Sequence, residues 1–204
     1  ISLGVYAGAQ YYIANKYGTI VNYHIWTLQR FGYHKAAYIH PVKFGPFVIK
    51  KSPVGIILPL IVSFLSSGGL YFVGIVSSNF TVNPVYRLGR VFTKLTEFEE
   101  AKIAVAGSLT NILLAILIKW FGLNSLNDFV FVCSITAICY MLPFPGLDGI
   151  KVLFGSRLLY VFSFVFILLS ALLLNFLSGF TVLILASLIS LAILVSYFYK
   201  KNKD

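Results

Sequence analysis

Apolar positions along this chain run on in long stretches, broken by short polar or glycine- and proline-bearing pieces, and the lengths of those runs predict the elements. Five apolar segments stand out. Residues 1–17 are helix-like, with more of the helix expected before Ile1. Residues 101–121, 157–176 and 180–199 are each long enough to cross a hydrocarbon core of about 30 Å at about 1.5 Å per residue. Residues 129–142 are shorter, and cross only if the helix begins near Leu126 or meets a thinned bilayer. A further run, VGIILPLIVSFLSSGGLYFVGIV at 54–76, is divided by Pro59 and the cluster Ser66, Ser67, Gly68 and Gly69 into halves too short to span.

Composition fixes the solvent. Of 204 residues, 59% are hydrophobic and 11% charged, with a mean hydropathy of +0.89; soluble domains carry about 25% charged residues. The expectation is an all-α polytopic membrane protein, with about five transmembrane helices plus a hairpin or re-entrant segment at 54–76, as a single domain over 1–204. The chain begins at Ile1, so an N-terminal piece is expected to precede it. A net charge of +10 could suggest nucleic acid, but the cations punctuate the ends of apolar runs. They read as orientation determinants and lipid-headgroup contacts, with no nucleic acid among the partners.

Charge asymmetry orders the segments. Arg30, Lys35, Lys43, Lys50 and Lys51 precede the divided run, and Arg87, Arg90 and Lys94 follow it. Both loops then belong in the cytoplasm, so 54–76 must go in and come back, with its turn near Ser67 shielded by protein. Continuing the count puts 122–126 outside, 144–156 inside with Lys151 and Arg157, 175–179 outside, and Lys200, Lys201 and Lys203 inside. Lys119 alone is left near the outer face. The expected location is the plasma membrane of a prokaryote.

Polar residues within apolar runs are the candidates for function. Glu99, Glu100 and Lys102 read as the charged first turn of a helix. Asn111, in AGSLTNILLA, is either a packing amide beside the small residues Gly107 and Ser108 or a substrate-contacting residue. Asp148, in LPFPGLDGIKVL, follows the helix-breaking Pro143, Pro145 and Gly146 near the membrane boundary. It is either a site residue or an N-cap for the helix entering at Ile150. Cys133 and Cys139 lack metal-ligand spacing and read as small core residues. His24, His34 and His40 fit neither a helical i,i+4 pair nor a common zinc loop, which leaves a structural or headgroup role ahead of metal binding.

Several motifs in order carry a resemblance: YG at 17–18 after the first segment, TLQRFG at 27–32, EEAKIAVAGSLTN at 99–111 and FPGLDGIKVLFGSRLLY at 144–160. Together they resemble the site-2 protease family of intramembrane zinc metalloproteases, in particular its archaeal branch. In that family a helix with HExxH supplies two histidine ligands and a glutamate base, and the aspartate of LDG supplies the third zinc ligand. The resemblance lays the first histidine on Tyr6, the glutamate on Ala7, the second histidine on Gln10 and the aspartate on Asp148.

All three HExxH positions have changed. Tyrosine and glutamine are poor neutral ligands for Zn²⁺, and alanine moves no proton. The resemblance therefore implies a degenerate member with vestigial positions Tyr6, Ala7, Gln10, Asn111 and Asp148, no cofactor, and zinc lost. Its partners would be other membrane chains or transmembrane segments, and lipid. Gln10, Asn111 and Asp148 are expected to satisfy one another. With few cationic neighbours, Asp148 is expected as a neutral acid that donates to the Gln10 carbonyl. The other reading is an active intramembrane metalloprotease using an unrecognised or partner-supplied site; a transporter is disfavoured because no pair of interrupted helices falls in symmetric halves.

Overall fold

The computed structural model describes residues 1–26, 42–44, 47–49, 54–67, 72–82 and 95–201. These are mostly helical. In chain order the helices are α1 (Ser2–Lys16), α2 (Val54–Leu65), α3 (Glu97–Trp120), α4 (Asn127–Met141), α5 (Asp148–Gly155), α6 (Arg157–Leu173) and α7 (Gly179–Lys201). Outside the described residues lie Arg30, Lys35, Lys50, Lys51, Arg87, Arg90, Lys94, Lys203, His34, His40, the TLQRFG motif, and Gly68 and Gly69.

α3 is the hub, with α1, α4, α5, α6 and α7 all packed against it. Its sequence explains why: Ala101, Ala104, Gly107, Ser108 and Ala115 are buried, and small side chains let neighbouring backbones approach closely. The helix starts sharply. Thr96 accepts from the Glu99 amide at 3.3 Å while the Glu99 carboxylate accepts from the Thr96 amide at 3.1 Å, so two backbone donors at the helix start are satisfied reciprocally. Glu97, Glu99 and Glu100 in the first turn and Lys119 in the last suit the helix dipole.

The buried residues of α1 are Ser2, Tyr6, Gln10 and Ala14, a strict i,i+4 stripe. Ser2 meets Asn111, Tyr6 meets Gly107 and Gln10 meets the Ala104 carbonyl, so α1 runs antiparallel to α3. Gly107 is required there, because a Cβ at that position would lie 2.5 Å from the Tyr6 ring.

The expectation of an all-α protein is corrected by a small sheet. β1 (Thr19–Ile25) pairs antiparallel with β4 (Val76–Val82), in a register that sets Thr19 opposite Val82 and Ile25 opposite Val76. A second pair joins β2 (Val42–Phe44) to β3 (Phe47–Ile49). TIVNYHI and VSSNFTV are rich in β-branched and aromatic residues, which suit a pleated, half-buried surface.

Residues 54–76 leave and return at one place. The Gly55 amide donates to the Trp26 carbonyl, and the Trp26 amide donates to the Ile75 carbonyl, both at 2.9 Å. The outgoing half is helical, with Pro59 inside α2, and 72–75 come back extended into β4. The expectation that the turn near Ser67 is shielded by protein is corrected: Ser67 is exposed, as are Phe64 and Leu65, because no described segment packs over the end of α2.

Two described helices, α3 and α7, are long and apolar enough to cross a membrane. α2, α4 and α6 are apolar but have 12, 15 and 17 residues. The core runs along α3, α4, α6 and α7, and a second cluster of Tyr6, Trp26, Tyr140 and Leu147 borders the polar site.

Candidate functional site

The Asp148 carboxylate lies at the start of α5 and is 1% exposed. Its Oδ2 accepts from the Tyr6 hydroxyl and from Gln10 Nε2, the latter at 2.5 Å. Its Oδ1 accepts from Ser78 Oγ at 2.5 Å and from Lys151 Nζ at 3.0 Å. Four donors thus fill the roughly four lone-pair sites of one carboxylate. Lys151 also donates to Ser78 Oγ at 2.8 Å and to the Ser78 carbonyl, and the Phe80 ring covers it at 4.4 Å. Gln10 Nε2 further reaches the Tyr6 hydroxyl at 3.0 Å and the Ala104 carbonyl at 3.3 Å.

Local structure fixes each of these groups. The Tyr6 ring is held between Gly107 of α3 and Tyr140 of α4, whose ring stacks on it with centroids 4.4 Å apart. The small sheet is tied to α4 and to the loop before α5: Ser77 Oγ donates to the Gly146 carbonyl at 2.6 Å, Trp26 Nε1, just after β1, donates to the Pro145 carbonyl at 2.7 Å, and the Tyr140 hydroxyl of α4 accepts from the Val76 amide at 3.1 Å. Gly146 has φ 96, and a Cβ there would lie 2.4 Å from Trp26 Nε1, so no other residue fits this turn. The Pro-Gly break therefore delivers Asp148 pointing inward.

Of the residues singled out in the sequence, Tyr6, Gln10 and Asp148 come together and Asn111 does not. Asn111 Nδ2 donates to Ser2 Oγ at 3.3 Å, which corrects the expectation that Asn111 satisfies Gln10 and Asp148. The cause is distance along α1, since Ser2 lies two turns from Gln10. Ala7 is off the cluster, and its carbonyl accepts from the Tyr23 hydroxyl at 3.0 Å. Asp148 is no N-cap: α5 begins at Asp148 itself, after Leu147, and no side chain caps it. Cys133 and Cys139 are buried free thiols on α4, and His24 is exposed on β1.

The expectation of few cationic neighbours around Asp148 is corrected by Lys151, whose side chain is 14% exposed and lies in ion-pair contact. Gln10 presents its amide nitrogen to Asp148, and its Oε1 has no hydrogen-bond partner. Burial pushes the Asp148 carboxyl up, and the charge and hydrogen bond of Lys151 work against that rise. Lys151 is the one cation that favours the charged carboxylate among the four groups bonded to it, and Tyr6 and Ser78 carry hydroxyls that can donate or accept. Ser78 and Lys151 were missed as site residues. Nothing in VSSNFTV marks Ser78, but the i,i+3 spacing of Asp148 and Lys151 within LDGIK was available as a signal.

As a zinc site this donor set fits poorly. It offers one carboxylate, one phenol and one amide, its carboxylate oxygens are already taken, and an ammonium sits where a second cation would be repelled. Among the described residues no group of three His, Cys, Asp or Glu converges. The polar set is instead built to hold segments together: α1, β4 and α5 meet at one carboxylate. No family model matches the chain, nor does any curated protein or solved structure.

Proposed function

We propose that this chain is a catalytically inactive, site-2-protease-like membrane protein that acts as a binding or structural subunit of a larger membrane complex. One observation carries the reading. The Asp148 carboxylate is closed by Tyr6 and Gln10, the side chains that stand at the two histidine positions in the family resemblance. A ligand set turned into a hydrogen-bonded tie keeps a scaffold and gives up a catalyst, and Ala7 offers no base.

The setting is supported by α7, in whose most apolar stretch 22% of residues are buried, so that it presents an apolar surface suited to lipid or to another transmembrane segment. In this reading the chain has about five transmembrane helices with 54–76 as an excursion, cytoplasmic basic loops and C-terminus, and the plasma membrane of a prokaryote as its location. Its partners are other membrane chains or transmembrane segments and lipid, with no nucleic acid and no zinc.

The test is purification in mild detergent, with bound chains identified and metal content measured. Stoichiometric co-purification of a second membrane protein, without zinc and without peptidase activity, is the expected result. Near-stoichiometric zinc accompanied by cleavage of a transmembrane peptide overturns the proposal in favour of an active metalloprotease.

A further inference from the structure

Far from the Asp148 cluster, where α3 ends and α4 begins, lies a cavity of about 420 Å³ between α4 and the end of α6, within the range of about 300–1,000 Å³ typical of small-molecule sites. Its chemistry is graded. Lys119, Asn127 and Asn175 stand at one end, and the wall below them is formed by Val130, Ile135 and Ile138 of α4 with Ala171 and Leu172 of α6. The polar end lies roughly 20 Å along α3 from Ala104, whose carbonyl touches the Asp148 cluster.

Shape narrows the occupant. From Asn127 to Ile138 the α4 wall extends about 16 Å at the helical rise. A volume of about 420 Å³ spread along that length makes a long, narrow groove. An α-helix, about 10–12 Å across with its side chains, does not sink into so narrow a groove. A single hydrocarbon chain, about 4 Å across by carbon contact distances, does. Charge then selects the head. Lys119 donates to Asn127 Oδ1 at 3.4 Å and has no carboxylate partner among the described residues; Asp128, next along the chain, is exposed. α4 also opens here, and no side chain caps its first turn, so backbone donors face the same end. Trp120 is exposed one residue on, where an interfacial aromatic belongs.

We infer that this cavity is a binding site for one anionic phospholipid, with an acyl chain along α4 and the phosphate at Lys119, Asn127 and the α4 N-terminus. The inference rests on the membrane setting proposed above and is independent of the pseudoprotease reading. The test is native mass spectrometry of the detergent-purified protein with phosphatidylglycerol and phosphatidylcholine of identical chains, after washing membranes with alkaline carbonate. Wild type is expected to retain one lipid and to prefer phosphatidylglycerol by about fivefold, the effect of one basic residue near an anionic headgroup. Lys119→Gln should abolish the preference while chain binding persists, and Ala171→Phe, which fills the groove, should remove retention of both lipids. Unfolding midpoints in detergent check that each variant is folded, and Leu172→Trp replaces Ala171→Phe if that variant is not. Release of the chain by carbonate overturns the membrane setting itself. A carbonate-resistant protein with no lipid preference, or with a preference that survives Lys119→Gln, overturns the lipid site alone.

Discussion

Lys151 follows Asp148 by one turn of α5 and sets its ammonium 3.0 Å from the carboxylate, with Ser78 bonded to both. A buried pair of this kind adds little net stability over an apolar replacement of equal shape, yet removing one partner is costly because the other charge is left alone.

Asp148→Asn should therefore destabilise the protein by about 3 kcal/mol, even though an amide can still hydrogen-bond to Tyr6 and Gln10. Asp148→Asn combined with Lys151→Met should recover a good part of that loss, a coupling of about 0.5–3 kcal/mol. Denaturant unfolding of the single and double variants in detergent measures it. An Asn variant as stable as wild type would mean that Asp148 is a neutral acid.

Tyr6→Phe removes one donor from the carboxylate and should cost about 1–3 kcal/mol. Gly107→Ala should cost a similar about 1–3 kcal/mol for a different reason, because the new methyl runs into the Tyr6 ring. In a Tyr6→Ala background the Gly107→Ala penalty should largely vanish. Equal penalties in both backgrounds would place the clash elsewhere.

Tyr23 gives a pH signature. Burial raises its phenol from the ordinary 10.0 to about 12, so the folded state holds the proton more tightly than the unfolded one. The corresponding stability is fully present below the unfolded value of about 10 and is lost as pH rises through about 12. Melting curves of wild type and Tyr23→Phe should run parallel below that window and converge or cross within it. Parallel curves throughout would mean that the phenol titrates alike in both states.

Thr96→Ala should cost about 1 kcal/mol through loss of the capping box of α3. Glu99→Ala should cost less, and the double variant less than the sum, because the two bonds are reciprocal. Additive losses would show that the two residues act separately.

The helices were legible because breakers and lengths are local. Pro143 and Pro145 end α4, the charged turn at Glu99 and Glu100 opens α3, and the long apolar run 180–199 falls within α7. Asp148 was legible because a carboxylate after a Pro-Gly break in apolar surroundings demands partners, and the family resemblance pointed to Tyr6 and Gln10. The sheet was not, since β1 and β4 pair across half a hundred residues through backbone bonds that no local pattern encodes. Lys151 fits a marker of membrane sidedness as well as a partner for the carboxylate one turn away, and the local sequence does not choose between them. Ser78 lies on the unforeseen strand and could not be placed without it.

The bond between Tyr6 and Asp148 joins residues 142 apart, which sets an order of events during synthesis. α1 emerges before α2 to α7 and carries Tyr6 and Gln10 without their Asp148 partner until α5 is begun, after every residue of α2, β4, α3 and α4. In the membrane setting proposed above, its polar stripe until then needs a temporary host, either the insertion machinery or interfacial water, because hydrocarbon offers these groups no partners. α1 is thus made before α2 to α7 yet locked only after α5, and a chain stalled before Asp148 would expose the very stripe that an assembly factor could hold.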